Sequence, residues 1–100
     1  MKINVFLDDL RTPPEGFVWV KDVETLKQYF QQYDVGILSL DHDLGIDEQG
    51  NLLPSGYDFV KYFCENGWFA EEIYLHTQNP VGRENMYQTL ISAQKRGFIS

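Results

Sequence analysis

A chain of 100 residues, of which 43% are hydrophobic and 15% aromatic, buries one core but is too short for two domains. The net charge of −7, with 8 Lys and Arg against 15 Asp and Glu, argues against a surface that neutralises an extended nucleic-acid backbone. No apolar run approaches the roughly 20 residues of a membrane-spanning helix, the first residues lack a secretory signal, and the lone Cys64 fits a reducing compartment. We therefore expect one cytoplasmic domain over residues 1–100 with no membrane contact.

The first part of the chain contains two short strands followed by a helix. Lys2–Leu7 is a nearly continuous apolar run that stops at Asp8 and Asp9, as a buried parallel strand stops at a functional edge. After a proline-rich loop, residues 17–20 form a brief second strand, and Asp22 then caps a helix. The apolar face of this helix consists of Val23, Leu26, Phe30 and Tyr33.

The middle of the chain repeats the order of strand and helix. Residues 36–40 form the third strand, which also ends in acidic residues, in the segment 41–43. The second helix starts at Ser55, where the spacing to Asp58 predicts a capping box, and it ends before Gly67.

A fourth strand and a third helix follow. Residues 72–75 form the strand, which closes at His76 and Thr77. Asn79 and Pro80 then open the helix, because proline is favoured in the first helical turn. This helix carries the inward-facing residues Met86, Leu90 and Ile91 and ends near Gly97.

The alternation of strands and helices predicts the fold. Right-handed crossovers give an α/β, doubly wound, mainly parallel sheet of about four strands with helices on both faces. Ligands bind such sheets outside the carboxyl ends of the strands. Three separate segments deliver polar side chains to that edge, namely Asp8, Asp9, Asp41, His42, Asp43, His76 and Thr77.

The aspartates at this edge predict a bound cation. Two unit charges about 4 Å apart repel by roughly 4 kcal/mol at an effective dielectric near 20, so several carboxylates cannot meet unpaired and fully ionised. Either a cation or protons must join them. Mg²⁺ or Mn²⁺, which take oxygen ligands, fit a site made of Asp8, Asp9, Asp41 and Asp43. In the alternative interpretation, Asp9 caps the following turn and Asp43 supports a loop.

The two histidines of the chain, His42 and His76, are the candidate acid and base. Imidazole takes and gives a proton near neutral pH, so two histidines at one edge are able to supply both the base that activates water and the acid that protonates a departing oxygen in a hydrolysis. In the alternative interpretation, which is the commoner one for a lone histidine, either ring forms a structural hydrogen bond to a loop. Their placement at neighbouring strand ends favours a role in acid–base catalysis over a structural one.

Substrate-binding candidates lie near the same edge. Arg83 is in the first turns of the third helix, where free backbone N–H groups already favour an anion, and Arg11 follows the first acidic pair. Each guanidinium presents a planar fork for phosphate oxygens, although each is also able to pair with a neighbouring acid. Thr77 and Asn79 complete this set, with Asn79 acting mainly as a helix cap.

Four segments of the sequence resemble the cyclic-phosphate-processing receiver domain family. They are residues 6–9, 40–45, 56–58 and 76–83. The resemblance implies a receiver or flavodoxin-like fold and a role on cyclic phosphate groups. It also places Asp8 and Asp9 at the metal-binding acidic pair of receivers, Asp41 at their phosphorylated aspartate and Thr77 at their conserved hydroxyl. The chain departs from receivers in two places: no fifth strand with a lysine follows Arg96, and no ordinary first helix follows Asp9.

Two classes of function fit this sequence. The first is a phosphoesterase that acts on cyclic phosphate groups of nucleotides or RNA ends, with a small phosphorylated ligand as its partner. The second is a non-catalytic receiver-like module that binds a phosphorylated ligand or a protein. The pair of histidines favours the first class, and the sequence makes no prediction of the oligomeric state.

Overall fold

The computed structural model describes residues 1–95, and the statements below concern those residues. In chain order, its elements are β1 (Lys2–Leu7), β2 (Val18–Val20), α1 (Val23–Gln32), β3 (Asp34–Leu40), α2 (Gly56–Glu65), β4 (Ala70–Leu75) and α3 (Pro80–Lys95). β3 and β4 begin two residues earlier than predicted, because Asp34 pairs with Lys2 and Ala70 pairs with Val35. The predicted helix end near Gly97 and the region after Arg96 lie outside the described residues.

The strands form one parallel sheet in the order β2-β1-β3-β4. Leu7 in β1 lies opposite both Val20 and Leu40, and Leu40 lies opposite Leu75. The four strands therefore end on one line, and the residues that follow them meet at one edge of the sheet. The predicted four-stranded, receiver-like parallel sheet is confirmed.

One face of the sheet carries the hydrophobic core. The cluster of buried residues joins Leu7, Leu40 and Val20 to residues of all three helices, including Leu26, Phe59 and Met86. Because strand side chains alternate, the next row belongs to the opposite face. We call this row of Trp19, Phe6, Ser39 and Tyr74 the open-face row; none of its members belongs to the core cluster.

The expected placement of helices on both faces therefore needs a correction within residues 1–95. The connections from β2 to β3 and from β3 to β4 run in the same direction across the sheet. Right-handed crossovers in one direction place their helices on the same face. The connection from β1 to β2 runs the opposite way, but residues 8–17 form a loop and contain no helix.

Each helix begins at a side chain that satisfies free backbone N–H groups, as predicted. Asp22 Oδ1 accepts a hydrogen bond of 2.8 Å from the Thr25 N–H at the start of α1. Ser55 and Asp58 form a reciprocal capping box on α2. Asn79 Oδ1 accepts a hydrogen bond of 3.0 Å from the Gly82 N–H in the first turn of α3.

Aromatic side chains pack α1 against α2. The Phe30 ring lies 5.5 Å from the Phe59 ring and stacks on Trp68 at 5.2 Å, measured between centroids. Tyr33, predicted on the same face of α1, is instead the C-cap residue and is 37% exposed, because the helix ends before it. Within residues 1–95, no helix combines the length and the apolar character needed to cross a membrane.

The capping carboxylate Asp58 gives the protein a testable dependence on pH. The Ser55 N–H, 2.8 Å from Asp58 Oδ2, lowers the pKa of Asp58, burial opposes this, and Lys61 lowers the pKa further, so it lies below its usual value. Such a group stabilises the fold above its unfolded pKa of about 3.9, and this contribution is lost as the pH falls through the folded pKa.

We therefore expect Asp58→Asn to be less stable than the wild type at neutral pH, with a gap that narrows below about pH 4. Urea unfolding of both proteins across this range measures the gap. Glu48→Gln, in an exposed loop, is the control, and its free energy of unfolding should differ from that of the wild type by the same amount at every pH. A constant gap for Asp58→Asn would contradict the prediction.

Candidate active site

The register of the sheet places Asp8, Asp41 and His76 side by side. Their backbone N–H groups continue the sheet hydrogen bonding: Asp8 donates to Val20 (3.0 Å), Asp41 to Leu7 (2.9 Å) and His76 to Leu40 (3.0 Å). In each of these three side chains, one oxygen or nitrogen atom that could bind a metal lies within 4.8 Å of the corresponding atoms of the other two. The sheet itself therefore brings these three residues together, at the end of the face that carries the open-face row. We call Asp8, Asp41 and His76 the first group of the site.

Asp8 is the most deeply buried charged side chain of this group, with 2% of it exposed. Its Oδ1 accepts hydrogen bonds of 2.9 Å from the Leu10 and Arg11 N–H groups, and its Oδ2 lies 3.0 Å from His76 Nε2. Burial alone would raise the pKa of Asp8, but the two backbone N–H groups and the His76 ring outweigh it and hold the pKa below its usual value. Asp8 is therefore a carboxylate at neutral pH.

Both ring nitrogens of His76 have partners. Nδ1 lies 2.7 Å from Ser39 Oγ, and Nε2 faces Asp8 Oδ2. Because an ionised carboxylate only accepts hydrogen bonds, Nε2 carries the proton in that contact, whereas the Ser39 hydroxyl is able to donate or accept. The Phe6 ring stacks on the imidazole, with centroids 4.3 Å apart and planes within 6°. His76 is therefore fixed within the protein by members of the open-face row.

His42 has one held and one open ring nitrogen. Its Nδ1 lies 2.9 Å from Asp43 Oδ1, and the side chain is 18% exposed. Among the described residues, Nε2 has no hydrogen-bond partner, and no buried side-chain nitrogen or oxygen lacks one. Nε2 of His42 is therefore at least partly accessible to solvent. This asymmetry between the two histidines is not visible in the sequence.

Asp43 and Asn79 form the second group of the site together with His42. Asn79 Nδ2 lies 3.3 Å from Asp43 Oδ2, so the N-cap of α3 also contacts the acid that holds the histidine. The hydrogen bond from His42 lowers the pKa of Asp43, burial opposes this, and Asn79 lowers the pKa further. Asp43 is therefore a carboxylate at neutral pH, and its Oδ1 is able to accept a hydrogen bond from His42 Nδ1.

The first turn of α2 lies directly on the segment that carries Asp41 and His42. The Gly56 N–H donates a hydrogen bond of 2.8 Å to the His42 carbonyl. A Cβ atom at position 56 would lie 1.9 Å from the Asp41 carbonyl oxygen, far inside van der Waals contact. Gly56 is therefore needed for this close approach of helix and strand end.

Gly56→Ala is expected to lower the free energy of unfolding by about 1–3 kcal/mol, the usual cost of overpacking, because the obstructing atom belongs to the backbone. Urea unfolding measures the loss. Glu65→Ala, at an exposed position of the same helix, serves as the control and should change little. Wild-type stability in Gly56→Ala would show that the strand end moves at no cost.

The remaining candidates lie around these two groups. Arg11 Nη1 donates to the His76 carbonyl at 3.1 Å, and its Nε lies 4.0 Å from Asp8 Oδ2, so its guanidinium covers the first group. Arg83 is exposed and lines a groove between β4 and α3 that reaches His76. Thr77 Oγ1 accepts a hydrogen bond of 3.1 Å from the Asn79 N–H, which shapes the turn into α3.

The four aspartates predicted as metal ligands do not converge on one point. Asp8 and Asp41 meet, and His76 joins them. Asp43 instead pairs with His42, and the Asp9 carboxylate lies beside Gly45, whose ideal Cβ would be 3.1 Å from Asp9 Oδ2. The converging donors are thus two oxygens and one nitrogen. Such a set fits Mn²⁺ better than Mg²⁺, because Mg²⁺ is bound mainly by oxygen, whereas imidazole suits transition metals.

Reasoning from the sequence missed Phe6, Ser39 and Gly82. Ser39 had a signal, because it is a polar residue between apolar ones in a buried strand, but its partner is 37 residues away. Phe6 had no signal, because it is one of several apolar residues in the predicted first strand. Gly82 had a weaker signal, since glycine in the first turn of a helix disfavours that helix.

Comparison with known families gives a match. A family model described as the cyclic-phosphate processing receiver domain matches residues 3–92. The chain belongs to this family. The match of this receiver domain includes both groups of the site and the two candidate arginines. No curated protein and no solved structure gives a significant match.

Proposed function

We propose that this receiver domain is a phosphoesterase that opens cyclic phosphate groups on nucleotides or RNA ends. The observation that carries this proposal is the state of His42, whose Nδ1 is held by Asp43 while its Nε2 is open to solvent. A held and an open nitrogen are what a general acid or base requires. The family description supplies the cyclic phosphate as the reacting group.

The proposed reaction is hydrolysis of one ester bond in the cyclic phosphate. A water oxygen bonds to phosphorus, the bond from phosphorus to one sugar oxygen breaks, and the water proton replaces phosphorus on that oxygen. His42 Nε2 takes the proton from water or gives a proton to the departing oxygen. Asp43 supports the charge that the imidazole carries in between.

His76 is the second proton-transfer candidate. Its Nε2 must leave Asp8 to reach a substrate, because both ring nitrogens are paired inside the protein. Its loss is therefore expected to disturb the charges of the first group as well as proton transfer. His42 is the histidine for which the geometry supports direct action on substrate.

Cations are required for a phosphate to approach this acidic edge. Arg11 lies over Asp8 and His76, and Arg83 is exposed where the groove along β4 meets His76. We propose that these guanidinium groups bind phosphate oxygens, with the Thr77 and Asn79 side chains as neighbouring polar groups. Bidentate contacts of this kind would orient the cyclic phosphate without taking part in proton transfer.

The first group is the proposed metal site. Asp8, Asp41 and His76 would hold Mn²⁺, or Mg²⁺ with weaker use of the nitrogen, and the ion would offset negative charge on the phosphate. His76 would bind through Nε2 in the tautomer whose Nδ1–H is donated to Ser39 Oγ, so the proton that Nε2 donates to Asp8 would be released when the metal binds. Without an ion, a protonated His76 is able to neutralise Asp8 through the contact of 3.0 Å. The ion would offset the charge of both carboxylates, whereas a protonated His76 would offset that of Asp8 alone.

Turnover by the purified protein tests the proposal. Nucleoside cyclic phosphates with five- and six-membered rings, and an RNA that ends in a cyclic phosphate, would be incubated with Mn²⁺, with Mg²⁺ and with a chelator. We expect ring opening of at least one substrate, seen as a new phosphomonoester by phosphorus NMR. No product from any of them would overturn the phosphoesterase and leave a binding module, which the same ligands would reveal by raising the melting temperature.

A further inference from the structure

The first turn of α3 lies directly against the His42 ring. Gly82 is buried there, and a Cβ atom built on it would lie 2.4 Å from both Cγ and Cδ2 of His42 and 2.8 Å from Nε2. Carbon atoms in contact are normally about 3.5–4.0 Å apart. The imidazole therefore occupies the space that any side chain at position 82 would need.

Helix formation does not explain a glycine at this position. Glycine is less favourable than alanine in a helix by about 0.8–1.0 kcal/mol. The Gly82 N–H donates to Asn79 Oδ1 at 3.0 Å, but alanine has the same N–H group. Close packing with His42 is thus the feature that alanine would not reproduce.

The same helical turn holds the imidazole on a second side. Asn79 Nδ2 lies 3.3 Å from Asp43 Oδ2, and Asp43 Oδ1 lies 2.9 Å from His42 Nδ1. Hydrogen bonds from Asn79 to Asp43 and between Asp43 and His42 thus hold one side of the ring. The Cα of Gly82, which carries no side chain, packs against another side. Together they fix the direction of the open Nε2.

We propose that Gly82 is a positioning residue for His42. The absence of a side chain lets the ring rest on α3, with Nδ1 on Asp43 and Nε2 open toward substrate. This inference rests on the proposed function for the catalytic part, since it assumes that His42 transfers the proton. The contact itself is independent of any activity.

Gly82→Ala is the direct test, read by NMR and by kinetics. The chain has two histidines, so their ring signals are resolved easily and assigned with a His42→Ala sample. We expect the His42 signals to move and the His76 signals to stay. On a substrate that the wild type opens, kcat should fall about 10- to 100-fold with little change in KM, because a displaced catalytic group costs rate rather than binding.

A double-mutant cycle that combines Gly82→Ala with His42→Ala, read by the melting temperature, tests the proposal even if Gly82→Ala folds poorly. Gly82→Ala should lower the melting temperature when His42 is present and should maintain or raise it in the His42→Ala protein, where the space is free and alanine favours the helix. Asn85→Ala, at an exposed position of α3, is the control and should leave the His42 signals unchanged.

Equal effects of Gly82→Ala in both backgrounds, or unmoved His42 signals with unchanged kcat, would overturn the proposal. A wild type that opens no cyclic phosphate would instead overturn the phosphoesterase, while the NMR signals and the cycle would still decide the role of Gly82 in placing the ring.

Discussion

His42→Ala should lower kcat on a cyclic phosphate by about 10²- to 10⁴-fold, the range for a lost proton-transfer group. The reason is that His42 alone presents an open ring nitrogen, while Asp43 holds the other at 2.9 Å. KM should change little, because the ring is proposed to act in the transition state rather than to bind the phosphate. Steady-state kinetics on the best substrate of the wild type measures both constants.

Three companion variants sharpen this test. Asp43→Asn keeps the size of the side chain but removes the charge that supports the imidazole, so kcat should fall less than in His42→Ala. Arg83→Ala should act mainly through KM, because its guanidinium is proposed to bind phosphate. His76→Ala should reduce both kcat and stability, since it removes the hydrogen-bond partner of the buried Asp8 Oδ2 and of Ser39 Oγ.

Each variant must keep its folded state before its rate is interpreted, and the melting temperature provides that check. A folded His42→Ala protein with the wild-type kcat would remove His42 from the reaction. If only His76→Ala lost activity while folded, the roles proposed for the two histidines would be reversed.

Mn²⁺ should raise the melting temperature of the wild type, because an ion that binds only the native state stabilises it. At 100 times its Kd, such an ion contributes about 2.7 kcal/mol, or about 10–20 °C for a domain of this size. The shift should exceed that of Mg²⁺ at equal concentration, because the converging donors are Asp8, Asp41 and the nitrogen-bearing His76.

Variants of two aspartates that are close in sequence distinguish a metal site at the first group from the larger aspartate site predicted from the sequence. Asp41→Asn should abolish the shift with Mn²⁺, because Asp41 belongs to the converging group. Asp43→Asn should retain it, because Asp43 contacts His42 and Asn79 instead. Loss of the shift in both variants would favour the larger aspartate site expected from the sequence, and an unchanged melting curve of the wild type at millimolar Mn²⁺ would contradict a metal site.

The sequence predicted most of the secondary structure because its signals are local. Asp22, Ser55 and Asn79 each cap the helix that follows, and each satisfies N–H groups within three residues of itself. The first, third and fourth strands are runs rich in apolar residues that stop at acidic or histidine residues. The edge that carries the site followed from these ends, because parallel strands of similar length finish at the same edge of a sheet.

The choice among the polar residues at that edge was made by the tertiary structure. Asp8, Asp41 and His76 meet because each directly follows one of the aligned residues Leu7, Leu40 and Leu75. A contact such as that between Asp8 and His76 joins residues 68 positions apart. Its existence depends on strand order and register, which local patterns do not specify.

The sequence by itself determined the strand and helix segments, their caps and the collection of acids and histidines at one edge, because these depend on neighbours along the chain. The tertiary structure alone decided that the helices share one face, that Ser39 and Asp8 hold His76, and that Gly82 leaves room for His42. The physical reason is that crossover direction, register and close packing are properties of residues far apart in sequence, brought together when the sheet and helices assemble.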